Sequence, residues 1–504
     1  MKILKDVMFF IVPLIFGQYV RTIEWFTKIK INSDNGNEII YDKTIIIHEF
    51  FTQSKLKCWQ KCLSFFSSCQ FIQFNANEKC KIYSAINKSF LNTNENIYLR
   101  EKKLPRVHFI NGSFLDQKQL NNNFTNLTID LFQSGLSLIV PYAFQNCQNI
   151  LTLNVSSNNL TRIYSKSFYG MSKIKFLFMA SNQISELESN IFQDVRFLYY
   201  LSLRNNLIKN LDDNLFDYSH ELVIIRLELS LIECLHKGIF KNLIKLRYLY
   251  LSNNRLKVLE PWFGSLESLE FLDFSSNQIS EIQNDTFKSM KKLKTLSIFS
   301  NQLSEINSHT FKGAHNLEIL TIYANKIQGI YNNFSKDFKN LTQLSLSQNN
   351  LSLVEPGFLN GLVKLEILRL FDCNLKLIEL SSLVNLKILS LAHNKITYFS
   401  EDLSLLTELY LNNNPLNNLS NPLISSQNSS LQTLDISNCV LINIDFEVLR
   451  NLSNLEILRI SGNPITLNNQ TFIGFKRLQT VFVNSVDVTR LNSSFPNIRF
   501  IQVG

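Results

Sequence analysis

The feature that most restricts what this chain can fold into is that it repeats itself. Ser275 to Phe287 reads SSNQISEIQNDTF and Phe299 to Phe311 reads FSNQLSEINSHTF, two near-copies 24 residues apart. Aligned on that step, the chain from about residue 105 to 504 follows L-x-x-L-x-L-x-x-N-x-L-x-x-I, with a Phe about five residues on. The Asn of the pattern falls at Asn158, Asn182, Asn206, Asn254, Asn277, Asn301, Asn325, Asn349, Asn394, Asn414 and Asn463. Ser134, Ser230, Cys373, Cys439 and Val486 take its place elsewhere, which makes sixteen copies. Most steps are 23 to 25 residues; those reaching Asn394 and Asn414 are 21 and 20. A period of this length makes each copy one structural unit that stacks on the next.

Alternating L-x-L marks a short strand with its apolar side chains on one face. One strand and its return loop cannot bury that face alone; the neighbouring copies do. The Asn fits the strand's end, where its amide can bond backbone groups of adjacent turns that would otherwise be buried unpaired. Phe144, Phe168, Phe192, Phe216, Phe240, Phe287 and Phe311 each stand ten residues after their Asn position. They are expected to stack as an aromatic spine under the outer surface.

The pattern, clear in LYLSNNRLKVL (Leu249 to Leu259), resembles the extracellular leucine-rich repeats of the 24-residue typical kind. Toll-like receptor ectodomains, Slit-like proteins and small matrix proteoglycans carry such repeats. The resemblance implies an α/β repeat, a horseshoe-shaped solenoid over residues 105–504 with a parallel sheet on its concave side. It also implies binding rather than catalysis, in roles such as innate recognition, adhesion or guidance, or else a structural matrix protein of the small-proteoglycan type. From Tyr398 to Gln427 the copies shorten, and NPLISSQNSS follows, which reads as a change in curvature or a hinge. Phe495 to Val503 is a candidate to seal the last turn.

The first residues, MKILKDVMFFIVPLIFGQYV, place Lys2 and Lys5 before an apolar run from Val7 to Phe16, then Gly17. This reads as a secretory signal over residues 1–17, too short to span the ~30 Å of a bilayer core. No other segment reaches the length of a membrane span, so a secreted, extracellular protein is expected. The net charge is +9. Residues 18–104 carry 13 Lys/Arg against 8 Asp/Glu, so the basic character gathers at that end. Sulfated glycans are conceivable partners there, whereas no nucleic-acid motif is present.

Cys58, Cys62, Cys69 and Cys80 lie within 23 residues, CWQKCLSFFSSCQFIQFNANEKC, a set that allows three connectivities. With IIYDKTIIIHEF before it and NIYLREKK after, residues 18–104 resemble a PAN/apple module, a small disulfide-bonded α+β domain. That resemblance implies pairs Cys58–Cys80 and Cys62–Cys69. The spacing suits no common zinc motif. Cys147, Cys234, Cys373 and Cys439 sit too far apart along the repeats to bridge and read as separate buried thiols.

Secretion gives meaning to N-x-S/T triplets. Glycans are expected at Asn87, Asn111, Asn123, Asn159, Asn284, Asn333, Asn340, Asn350, Asn428, Asn451 and Asn469. Further triplets stand at Asn126, Asn154, Asn418 and Asn492. A glycan on Asn154 would project from the concave face and block the first turns.

On that face, strand alternation sets three outward columns. Six residues before the Asn run Phe176, Tyr200, Ile224, Tyr248 and Phe271. Four before it come Phe178, Arg226, Tyr250 and Asp273; two before it come Arg204, Glu228, Phe299, Tyr323 and Phe371. This reads as an exposed aromatic stripe mixed with charges, a composition suited to binding a protein or glycan. Self-association is a further option. A Ser390, His393 and Asp372 set can be assembled on paper, but no nucleophile elbow, phosphate loop or metal-binding His pair accompanies it. The expectation is no enzyme, no cofactor and no metal, with Asp372 and His393 joined by a surface hydrogen bond.

Overall fold

The computed structural model describes residues 127–503, except 146, 262, 308, 332–333, 427 and 485–487, together with three short strands upstream. Those strands are Phe71–Phe74, Cys80–Tyr83 and Phe109–Ile110. The secretory segment, Cys58, Cys62, Cys69 and the triplets at Asn87, Asn111, Asn123, Asn126 and Asn333 fall outside the described residues. Phe71–Phe74 pairs antiparallel with Cys80–Tyr83, Phe74 opposite Cys80.

Seventeen short strands, from Leu127–Asp130 to Arg499–Gln502, make one parallel sheet in chain order. Each register links consecutive repeats: Leu177 lies beside Leu201, then Ile225, Leu249 and Leu272. These central residues are fully buried, while most of their neighbours on the strand are half-buried on the other face. The strand pattern L-x-L thus divides the sheet into a packed side and an open side. Sixteen strands match the sixteen repeats of the sequence. The seventeenth, Arg499–Gln502, pairs with Thr480–Val483 and is preceded by a helix, Val488–Ser494. Phe472 fills the space beneath, its ring centre 5.6 Å from Phe495 and 5.4 Å from Phe500.

The Asn column holds consecutive turns together. Asn301 Oδ1 accepts the Ile279 N–H at 2.9 Å, while Nδ2 donates to Phe274 O and Ile298 O, both at 3.0 Å. One amide therefore ties its own turn to the turn before it. The same arrangement recurs from Asn158 to Asn463. Apart from the half-buried Asn325, the Asn column lies where water cannot reach, so each bond saves a backbone group that would otherwise be buried unpaired.

The chain must turn sharply to aim that amide inward. In fourteen repeats the residue just before the column has φ between 52° and 59°. Ser, Asn, Asp and His occupy most of these places, residues whose short polar side chains tolerate the left-handed region. In the repeat of Asn463 the position is Gly462, where a Cβ would come within 1.7 Å of Asn438 Oδ1. Leu229 breaks the rule, a bulky residue at φ 59°.

Where the column lacks Asn, the bonds weaken. Cys373 Sγ donates to Leu346 O at 3.4 Å and Cys439 Sγ to Leu411 O at 3.2 Å. The Ser230 hydroxyl is buried without a partner.

The Phe spine is present on the far side of the core. Phe168 stacks on Phe192 (6.2 Å, 8°), Phe192 on Phe216 (5.9 Å, 1°), and Phe287 on Phe311 (5.9 Å, 21°). Phe263, one residue short of the ten-residue offset, carries the stack on from Phe240 at 5.7 Å.

Cys147, Cys373 and Cys439 are buried free thiols, each pushed up to about 12 by desolvation. Cys234 corrects the sequence reading: it is free but exposed. It stands four residues past the column, a flank position that Glu186, Glu281 and Glu305 occupy, exposed, in other repeats.

Asn301→Ala strands several buried backbone groups, a loss of about 2–4 kcal/mol from groups worth ~1–3 kcal/mol each, whereas Ser230→Asn completes the column and raises the melting temperature. Thermal and urea unfolding monitored by circular dichroism separates the two. In the native protein a thiol reagent modifies Cys234 among these four cysteines, and Cys147, Cys373 and Cys439 react only after denaturation, as peptide mass mapping will show.

Candidate functional site

The open side of the sheet is built by register. Phe176, Tyr200, Ile224, Tyr248 and Phe271 fall side by side, and so do Phe178, Ser202, Arg226, Tyr250 and Asp273. Strands about 4.7–4.9 Å apart bring large rings into contact with their neighbours. Phe178 lies 4.9 Å from Tyr200, Tyr250 4.9 Å from Phe271, and Tyr248 6.5 Å from Phe271, ring centre to ring centre. Further along, Phe299 stacks on Tyr323 at 4.5 Å and 6°, and the Phe371 N–H donates to Ser347 Oγ at 3.1 Å.

This corrects the expectation of an exposed stripe. Phe176, Phe178, Tyr200, Tyr248, Tyr250, Phe271, Asp273, Phe299, Tyr323 and Phe371 are all half-buried, as are Arg204 and Arg226. Ile224 and Glu228 are buried outright, at 3% and 5% exposure. The rings lean on one another across the strands and form a floor, not a row of projections.

Charge is concentrated at one place on that floor. Glu228 lies between two arginines: Arg226 Nε donates to its Oε1 at 2.8 Å, and Arg204 Nε stands 3.6 Å from the same oxygen. The second oxygen, Oε2, is buried with no partner. The Arg226 guanidinium covers the Tyr250 ring at 5.0 Å. Burial, the largest single influence, would lower the Arg226 pKa, but Glu228 together with Tyr200 and Tyr250 outweighs it and the net shift is upward. Burial pushes Tyr250 up to about 12 and also raises Tyr200, against the pull of Arg226. Glu228, Leu229 and Ser230 are consecutive, and all three break a local rule: an unpaired buried oxygen, a bulky left-handed residue and an unpaired hydroxyl. Clustered violations of this kind are characteristic of sites kept for function.

The sequence reading missed a second group in the same row. Tyr410, Asp435, Arg459 and Phe482 are register partners on successive strands, four residues before their column positions like Arg226 and Tyr250. The Tyr410 hydroxyl donates to Glu408 Oε2 at 2.7 Å; burial first, then Glu408, pushes its pKa up to about 12.

The paper triad is not assembled. His393 is the left-handed residue before Asn394, and its Nε2 meets Asn413 Nδ2 at 3.1 Å instead of Asp372, which lies in the equivalent left-handed position one turn earlier. The Ser390 carbonyl accepts the Leu370 N–H within the sheet. Among the described residues no group of three or more His, Cys, Asp and Glu is placed to hold a metal ion, and no helix is long and apolar enough to cross a membrane. Of the N-x-S/T triplets described, Asn154 is the one on a strand of the main sheet, where its Nδ2 donates to Asp130 Oδ1 at 3.0 Å, and Asn418 lies on a short flank strand opposite Asn443.

Comparison with known proteins agrees with this geometry. Sequence models for the leucine-rich repeat match residues 125–184, 220–279, 272–327 and 315–375, and a second such model matches 430–452. The repeats are leucine-rich repeats. A leucine-rich-repeat protein of Leptospira interrogans superposes with a TM-score of 0.65 at 24% identity, covering 76% of this chain and 97% of that one. TLR13, solved in complex with a single-stranded RNA, gives 0.58 at 22% identity over 78% of this chain and 56% of its own. The LRIM1/APL1C complex gives 0.52 at 21% over 65% and 60%. At these identities the likeness is one of fold. No curated protein sequence matches the chain.

The tyrosines supply a test of the floor's packing. Folded Tyr250 and Tyr410 titrate at about 12 against 10.0 for a free phenol, so between those pH values the native state keeps protons that the unfolded chain loses. This contribution to stability is intact below pH 10 and is lost as pH rises toward 12. The melting temperature should fall over that window, and fall less in a Tyr250→Phe/Tyr410→Phe variant.

Proposed function

We propose that this is a secreted recognition protein that binds an extracellular protein or glycan on the open face of its sheet, in innate recognition, adhesion or guidance. The observation that carries the reading is the aromatic floor from Phe176 to Phe271 with the Arg204–Glu228–Arg226 cluster at its centre. Tyr, Phe and Arg bring large contact area and forked hydrogen bonding at little entropic cost, which suits a hot spot. The apolar leader at residues 1–17 supports secretion, and the cysteine cluster within residues 18–104 supports a PAN-like module ahead of the repeats in the sequence. No triplet lies on the strands from Phe176–Phe178 to Phe271–Asp273, and of the described triplets Asn154, beside Phe178, is the one whose glycan would reach the edge of the floor.

The solved TLR13 and LRIM1/APL1C chains are, by their descriptions, a complex with RNA and a protein complex. For the present chain a protein or glycan is the better fit. A phosphate backbone calls for a run of cations, whereas Glu228, Asp273 and Asp435 interrupt the arginines along this face.

The deciding experiment is capture from extracellular fluid and cell surfaces by the parent protein and by a Tyr200→Ser/Tyr248→Ser/Phe271→Ser variant of matched melting temperature. A partner held by the parent and lost by the variant is the expected result. Capture of the same set by both would reduce the floor to packing and overturn the reading.

A further inference from the structure

The row that contains Arg226 carries an anomaly near its other end. Asp435 and Arg459 are register partners on adjacent strands, the spacing at which an acid and a base ordinarily pair. Among the described residues no ion pair joins them. Asp435 Oδ1 accepts the Ser437 N–H at 3.0 Å, and the Arg459 guanidinium is drawn over the Phe482 ring, 4.6 Å from its centre. Arg459 Nη1 is buried with no hydrogen-bond partner. The next carboxylate along, Glu408, is occupied by the Tyr410 hydroxyl. Elsewhere the half-buried arginines have their counter-charges: Arg204 and Arg226 share Glu228, and Arg247 holds Glu270 through two bonds of 2.8 and 2.7 Å. A half-buried guanidinium with unmet donors is costly to maintain, and an anion arriving on a partner would relieve it.

We propose that Asp435 and Arg459 form a second subsite of the sheet face, which takes one protein segment carrying an acid and a base two residues apart. The segment's carboxylate meets Arg459 and its ammonium or guanidinium meets Asp435. In an extended segment, residues two apart project to the same side, so one strand-like stretch can address both. A sulfated glycan fits poorly, because Glu408 and Asp435 outnumber the single cation and repel a repeating polyanion. Ten strand steps separate Arg226 from Arg459, or about 48 Å along the sheet at the usual strand spacing, so different parts of a partner address the two places. The proposal rests on the reading that this face binds a protein.

The test uses the full chain and fluorescein-labelled synthetic peptides in which Asp and Lys stand two residues apart between randomised positions, read by fluorescence polarisation. Control sets carry Gln for the Asp or Gln for the Lys. The expected result is binding of the Asp/Lys set tighter by about fivefold, the scale of one charge-assisted hydrogen bond in a partly wet site. Arg459→Gln removes the preference for Asp, Asp435→Asn removes that for Lys, and Arg226→Gln leaves both. If Arg459→Gln unfolds, Arg459→Lys keeps the charge without the fork and should weaken the preference. Equal binding of the three sets, a preference that survives Arg459→Gln, or displacement of the peptides by a sulfated oligosaccharide acting through Arg459 overturns it. The Tyr200→Ser/Tyr248→Ser/Phe271→Ser variant should keep the peptide preference, which separates failure here from failure of the aromatic floor.

Discussion

Everything in this molecule depends on a side-chain amide placed where water cannot follow. A single strand of three residues has nothing to recommend it energetically, and a stack of them would leave a row of orphaned carbonyls and N–H groups at each strand's end. The Asn column satisfies both at once, since Oδ1 takes the N–H and Nδ2 serves carbonyls on two turns. The cost appears in the backbone as a left-handed residue before each Asn. The twin stretches SSNQISEIQNDTF and FSNQLSEINSHTF repeat because both halves of this device, a residue that tolerates the left-handed turn and the buried Asn after it, recur in most turns.

Fixing the turns in this way frees one whole face. The core is closed by the strand leucines on one side and the stacked phenylalanines on the other, so side chains on the open side of the sheet are not required for packing between layers. Fully polar residues would serve there if folding were the only demand. Large rings, arginines and a buried carboxylate stand there instead, and the repeat that holds Arg226 and Glu228 is also the one whose column lapses to Ser230 and whose tight turn holds Leu229. Stability is conceded at the same point where chemical variety is greatest, the combination expected of a binding surface.

Much of the architecture was legible because it is periodic. Strand, column and spine each follow from a residue type at a fixed offset, and the structure has all three. Features that depend on neighbours across strands were not legible. Half-burial of Tyr248 arises because Phe271 leans against it on the next strand, a contact that the residue's own repeat does not encode. The Tyr410–Phe482 group stands at the same offset from the column as Arg226 and Tyr250, but it takes one side chain from each of four successive strands, so no single repeat displays it. Phe263 escaped by one residue of offset, and the strand Arg499–Gln502 has no Asn after it to announce it. Cys234 and His393 were misplaced for one reason: both sit in the turn past the strand, where alternation no longer tells inside from outside.

The central claim is that a partner contacts the open face of the sheet and not its flank. The flank offers a rival surface, since Leu353, Leu377 and Tyr398 are 80%, 59% and 59% exposed on three successive repeats. Hydroxyl-radical footprinting of the protein alone and with its captured partner reads both surfaces in one measurement. The account predicts that oxidation of Tyr200, Tyr248, Tyr250 and Phe271 drops on binding while that of Leu353, Leu377 and Tyr398 stays level. Protection of the flank residues with the four aromatic residues unchanged would contradict it.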